Sequence, residues 1–472
     1  MAVEPRRRRR QRRRRWVPTV AAVLGVAWWL SAGVGRAAAH SGGLRGATRD
    51  PVAVPTWLFL LTGGGVVGVS FLLASFVTDR RLVAAIHDWA RPLPTPGRVG
   101  HGLAGTLGVA VLAVTFGVGI LEDATGVRNL AVLVVWVGWW GGYVASTYLL
   151  GNTWPALNPF RTVAERLPTL DRPYPDRLGA WPSVAALLLL VWVEVTAPLA
   201  DDARLLATAL AGYTAVTLVG AVVFGPDRWF GSVDPLSRAF RLYGRLAPLG
   251  IADGRLRLRL PGSDLPDTRL DGAGDVAFVV ALLFVTTYDG FVATGPWAAG
   301  VRAVAGVGVP PLAAYLAAYL VGAGLFYLAY RAAARVGRRR ADTYLSVGEL
   351  ARRFAPSLLP IAAGYHLAHN LVSVLVLGPT FVAVAAAPLS PPPSPPQLAG
   401  LPGWFGGLEF AFVLLGHLLA VWVAHATAYE LFPSRLQAVR SQYGVTAVMV
   451  CYTMLSLWIV AEPYVAPPFI AS

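Results

Sequence analysis

Residues 356–383 read PSLLPIAAGYHLAHNLVSVLVLGPTFVA, a run with no charged side chain that nevertheless holds His366, His369 and Asn370. A helix of about 20 apolar residues crosses a hydrocarbon core of ~30 Å, so the run is long enough to span a bilayer. Its polar residues would then stand in the least polar solvent a protein meets.

The rest of the chain supports that reading. Of 472 residues, 56% are hydrophobic and 14% charged, with a mean hydropathy of +0.56. A soluble domain could not cover its surface with so few polar groups. The net charge of +15 comes from arginine alone, since the chain contains no lysine. A pI near 10.5 would suit nucleic-acid binding. Here the arginines fall between apolar runs, so membrane topology explains them and no nucleic-acid partner is expected. One cysteine, Cys451, excludes an intrachain disulfide framework and any multi-cysteine metal site.

The amino terminus, MAVEPRRRRRQRRRRW followed by an apolar run and GRAAAHSGG, has the layout of a secretory signal. Residues 1–39 are expected to be a signal peptide cleaved after Ala39, or an uncleaved signal-anchor. Cleavage would leave His40 as a first residue with two nitrogens for one Cu²⁺, although processing alone accounts for its place.

Residues 40–472 are expected to form one polytopic helical domain in the cytoplasmic membrane. Apolar stretches near 55–78, 102–121, 129–150, 179–198, 203–224, 275–294, 311–333, 356–383, 406–430 and 443–461 predict about ten transmembrane helices. With the mature N-terminus outside, the connections 79–100, 151–178, 225–274, 334–355 and 431–442 face the cytoplasm and hold most arginines. The external connections hold few, as the positive-inside rule requires, and the C-terminus is external. The uncharged stretch 384–405, APLSPPPSPPQLAGLPG at its centre, reads as an external polyproline-like spacer.

Two cytoplasmic connections resemble each other. GNTWPALNPFRTVAERL and GPDRWFGSVDPLSRAFRLYGRL each place Trp before Asn-Pro or Asp-Pro and then an arginine-bearing helix. Asn158 and Asp234 suit N-caps, with Pro159 and Pro235 at the first helical position. In the larger loop, 225–274, Leu236, Phe240, Tyr243 and Ala247 fall on one stripe with Arg238, Arg241 and Arg245 off it. This predicts a short interfacial helix lying against anionic headgroups. RLRLRL at 255–260 alternates at period two and predicts a small strand.

Four of the seven histidines fall in two consecutive spans. His366 and His369 are three apart and share a helix face. His417, on the next span, is expected at nearly the same depth, with His425 two turns further towards the cytoplasm. Intramembrane ionisable residues are functional candidates because their burial is costly. His366, His369, His417 and His425 are therefore candidate ligands for a transition metal (Zn, Cu or Fe) or for haem. Tyr365 and Asn370 would orient the imidazoles, and Asp289 and Glu409 would handle protons. Neutral hydrogen bonding between helices is the plainer alternative. His87 and His101 are expected to be interfacial. HExxH and G-x-S-x-G patterns are absent.

VPTWLF, ALNPFR, PDRWFGSVDPLSRAFRLYGRLAPL, FVTTYDGF, PIAAGYHLAHNL, LGHLLAVWVAHATA and VMVCYTMLSLWIV occur in this order. Together these blocks resemble the multi-pass membrane proteins of actinobacteria and archaea called fenitrothion hydrolase-like. The resemblance implies organophosphate ester hydrolysis by a membrane component and assigns no catalytic residue. Three functions follow as expectations: metal- or haem-dependent hydrolytic or redox chemistry, proton- or metal-ion-coupled transport, or a scaffold docking a membrane subunit.

Overall fold

The computed structural model describes residues 56–94, 99–252, 254–398, 401–402 and 404–470. The expected signal segment and His40 lie outside them. The described chain is mostly helical, and eight helices are long and apolar enough to cross a membrane. The long helices are α1 (Thr56–Phe76), α3 (Val99–Leu121), α4 (Leu130–Leu149), α6 (Trp181–Thr196), α7 (Ala203–Phe224), α9 (Ala273–Val292), α11 (Pro311–Ala341), α13 (Leu359–Ala386), α14 (Phe405–Leu431) and α16 (Tyr443–Ala461).

All ten predicted segments are helical, but two fall outside the eight. Helix α1 bends by 117° into the short α2 (Arg80–His87), and the pair passes as a span only together. Helix α6 has 16 residues, about 24 Å at 1.5 Å per residue. Pro198 limits it, because the residue before a proline is pushed out of the helical region. Ala197 accordingly has φ −110° and ψ 145°.

Every second connection carries a short helix. After α2 come α5 (Pro159–Ala164), α8 (Pro235–Tyr243), α12 (Val347–Phe354) and α15 (Arg435–Ser441). Four of the five start on a side-chain cap. Asp79 accepts from the Arg81 amide (2.8 Å), Asn158 from Arg161 (3.0 Å), Asp234 from Ser237 (2.7 Å) and Ser346 from Glu349 (3.0 Å). Each bond satisfies one of the amides that a helix start leaves without an intrahelical partner. The chain thus repeats a unit of long helix, capped short helix and long helix, of which the 151–178 and 225–274 likeness is one instance.

Those two capped turns also meet. Ser237 Oγ accepts from Trp154 Nε1 (3.2 Å) and Asn158 Nδ2 (3.3 Å), and Trp154 packs on Phe240 with centroids 4.9 Å apart. Helix α8 is therefore enclosed, with Pro235, Arg238, Ala239, Phe240, Leu242 and Tyr243 buried. This differs from the surface-lying helix expected from its stripe. Arg238, read as facing headgroups, turns inward to pair with Asp275 at the start of α9.

The predicted strand forms as β3 (Arg255–Arg259) in a three-stranded antiparallel sheet of order β1-β3-β2, with β1 Ala90–Pro92 and β2 Leu249–Ala252. The proline-rich stretch does not stand off as a spacer. Leu398 N reaches Val376 O (3.2 Å), and Thr380 Oγ1 donates to Pro396 O (2.7 Å), so its described part folds back along α13. Sequence reading missed α10 (Gly295–Gly306), which Thr294 caps and Pro296 starts.

Helix α9 forms the centre, with every side chain from Val276 to Tyr288 buried. A helix apolar on all sides belongs inside a bundle or against lipid, and close packing rather than the hydrophobic effect joins helices in lipid. The α13–α14 contact shows how. A Cβ on Gly364 would stand 2.5 Å from Phe412 O, and one on Gly416 2.5 Å from Pro360 O. Only glycine admits this backbone approach, and it fixes the two histidine-bearing helices side by side.

Candidate functional site

Close packing at Gly364 and Gly416 brings His366 and His417, the residues just beyond the crossing, into the same enclosed layer. The four histidines nevertheless occupy separate settings. Tyr148, on α4, hydrogen-bonds His366 Nδ1 at 2.9 Å, and the Trp140 ring meets the same imidazole edge-on at 5.5 Å. His369 Nε2 lies 3.1 Å from Asp289 Oδ2 of α9, with both side chains under one-fifth exposed. The Tyr365 ring stacks on His369 at 6.0 Å and 15°.

His417 Nδ1 bonds Val413 O at 2.8 Å, while its buried Nε2 makes no hydrogen bond. His425 is turned to the far end of α14, with Nε2 3.0 Å from Val77 O and Nδ1 3.4 Å from Gln442 Nε2. It ties the α1–α2 bend to α14, where Arg80 also caps the helix end through the carbonyls of Tyr429, Phe432 and Pro433.

Among the described residues, no group of three or more His, Cys, Asp or Glu side chains is placed to hold a metal ion. His366, His369 and His417 thus do not form a three-ligand cluster; helical spacing set their depth but not the direction of each ring. Asn370, expected beside an imidazole, donates instead to the His366 backbone carbonyl at 3.0 Å. Glu409 is buried one turn into α14.

Two features escaped sequence reading. Residues 134–143 of α4, VVWVGWWGGY, form a wide π-helical stretch. Such stretches are rare and concentrate at functional sites. A Cβ on Gly141 would stand 2.6 Å from Val374 Cγ2 of α13, so the glycine lets this stretch close on the histidine helix. The second feature is Gly290, next to Asp289, whose missing Cβ makes room for the Tyr365 hydroxyl. The signal for both was a glycine inside an apolar helix.

Comparison with known proteins adds nothing to this geometry: no family model, curated protein or solved structure matches the chain.

Proposed function

We propose that this is a multi-pass protein of the cytoplasmic membrane, with ten spans counting α1 and α6, that moves protons through its interior and couples them to transport of a small solute or metal ion. The observation that carries the reading is the His369–Asp289 pair, which joins two spans inside an apolar bundle. Ionisable groups are costly to bury at that depth, and an acid and a base paired there mark an ion or proton path.

Neighbouring groups extend the pair along the membrane normal. Tyr148 stands one residue from the end of α4, and Asp289 three from the end of α9. In the topology expected from the arginines, those ends face opposite sides, with His366 and His369 between them. The line Tyr148–His366–His369–Asp289 would then form the central part of a path, its two histidines about 4.5 Å apart along α13. Proton flux into proteoliposomes under an imposed potential tests this. His369→Gln should abolish the flux, whereas a scaffold would show none in either protein.

One observation favours a second reading, metal- or haem-dependent hydrolytic or redox chemistry of the kind the fenitrothion hydrolase-like resemblance implies. His417 has one nitrogen held by a backbone carbonyl and the other buried without a hydrogen bond. An imidazole so held would be the residue to ligate iron if haem were bound. It does not make the three- or four-donor cage that a protein-held zinc requires. A haem absorption band lost in His417→Ala would support this reading over transport.

A further inference from the structure

A cavity of about 220 Å³ lies away from the histidine line, between α2, the turn 260–266 that follows β3, and residues 419–426 of α14. Its walls are apolar: Ile86, Leu260, Leu419, Trp422 and Val423, with two prolines in the turn. Two polar side chains, His87 and Ser263, also line it. The His87 Nε2 is buried, makes no hydrogen bond, and stands 3.5 Å from Asp267 Oδ2. Asp267 itself is 63% exposed. Local structure accounts for the opening. The 117° bend after α1 carries α2 away from the helix line, and Gly262, at φ +77°, turns the 260–266 segment against Leu419 and Val423.

We propose that this cavity binds a small neutral molecule consisting of one apolar ring with a hydroxyl group. Size sets the ring. An apolar cavity of roughly 150 Å³ holds benzene, and drug-sized ligands need roughly 300 Å³ or more. The space here lies between them and admits one substituted ring. Flat proline and indole faces suit such a ring better than a branched chain. Polarity sets the substituent. One imidazole nitrogen and one serine hydroxyl can anchor a single hydroxyl group. The carboxylate of Asp267 beside the imidazole disfavours an anion in the same place. The proposal is independent of the proton line, because no residue is shared.

The test uses 4-fluorophenol as probe, followed by fluorine NMR with the full-length protein in lipid nanodiscs, and empty nanodiscs as the control for partition. Saturable binding above the control, displaced by phenol and not by benzoate, is the expected result. Val423→Trp and Ser263→Trp fill the cavity from opposite walls, and each should abolish binding. Should one of them fail to fold, the other still decides. His87→Ala should weaken binding by about fivefold to tenfold, the loss of one hydrogen bond. A signal equal to that of empty nanodiscs, or binding unchanged in a folded wall variant, would overturn the proposal. Benzoate binding as well as the phenol would overturn the choice of a neutral ligand.

Discussion

Asp289 Oδ2 of α9 lies 3.1 Å from His369 Nε2 of α13, an acid–imidazole contact made between two apolar helices. The chain supplies Asp289 at the end of the most enclosed helix in the bundle, and Gly290 beside it lets Tyr365 approach and stack on His369. Removing either group takes a polar partner from the other inside an apolar layer. Asp289→Leu and His369→Leu should each lower stability by about 1–3 kcal/mol, with the double variant less destabilised than the sum. A double-mutant cycle of thermal unfolding in detergent measures the coupling, and additive losses would mean the pair contributes nothing.

Helix packing at the histidine layer makes a second prediction. A side chain at Gly416 must displace the backbone at Pro360, because the Cβ would stand 2.5 Å from its carbonyl oxygen. Gly416→Val should cost about 1–3 kcal/mol by overpacking. Gly407 is the control, since nothing lies within 4 Å of a Cβ built there. Gly407→Ala should leave the unfolding temperature unchanged or raise it slightly.

How much of this was legible in the sequence depends on the range of the interaction. The long helices, the Asn158 and Asp234 caps and the β3 strand are encoded locally, by apolar length, cap chemistry and period-two alternation, and the structure contains them. The neighbourhood of α13 and α14 followed from chain order and is present. The partners of each histidine were not legible. Tyr148, Asp289 and Val77 come from three separate helices or turns, and only packing decides which imidazole each one meets. The Arg238 stripe failed for a related reason. An amphipathic pattern separates polar from apolar faces, but a partly buried carboxylate such as Asp275 offers the charged face a partner as good as a headgroup.

That inward turn of Arg238 supplies a third prediction. Its guanidinium pairs with Asp275 at 9% and 16% exposure and also lies 5.6 Å over the Phe278 ring. Arg238→Met should destabilise by about 1–3 kcal/mol, because the partly buried Asp275 carboxylate loses its guanidinium and keeps only the Gly272 amide. Arg238→Met with Asp275→Leu should recover most of the loss. Equal stability of single and double variants, measured by thermal unfolding, would contradict this.

Asp234 gives a pH dependence with a definite sign. Burial pushes its carboxyl above the ordinary aspartate range, opposed in part by hydrogen bonds from Ser237 and Tyr213 and by the charge of Arg241. A carboxyl raised on folding binds its proton more tightly in the native state. Its contribution is complete below the unfolded value of about 3.9 and is lost as pH rises through the raised folded value. Asp234→Asn keeps an acceptor for the α8 cap and removes the charge. The variant should lose this decline in unfolding temperature above about pH 4, seen by fluorimetry across a pH series. An unchanged pH profile would show that Asp234 titrates normally.

His369 and Asp289 are proposed to carry protons across the membrane interior. This role is tested most directly by potential-driven proton uptake into proteoliposomes containing a pH-sensitive dye, comparing the native protein with Asp289→Asn and Asp289→Glu. Flux is expected in the native protein, with a loss of at least about tenfold in Asp289→Asn, where position 289 holds no titratable acid, and partial recovery in Asp289→Glu. Native flux that persists undiminished in a folded Asp289→Asn protein, or its absence from the native protein, would contradict this role.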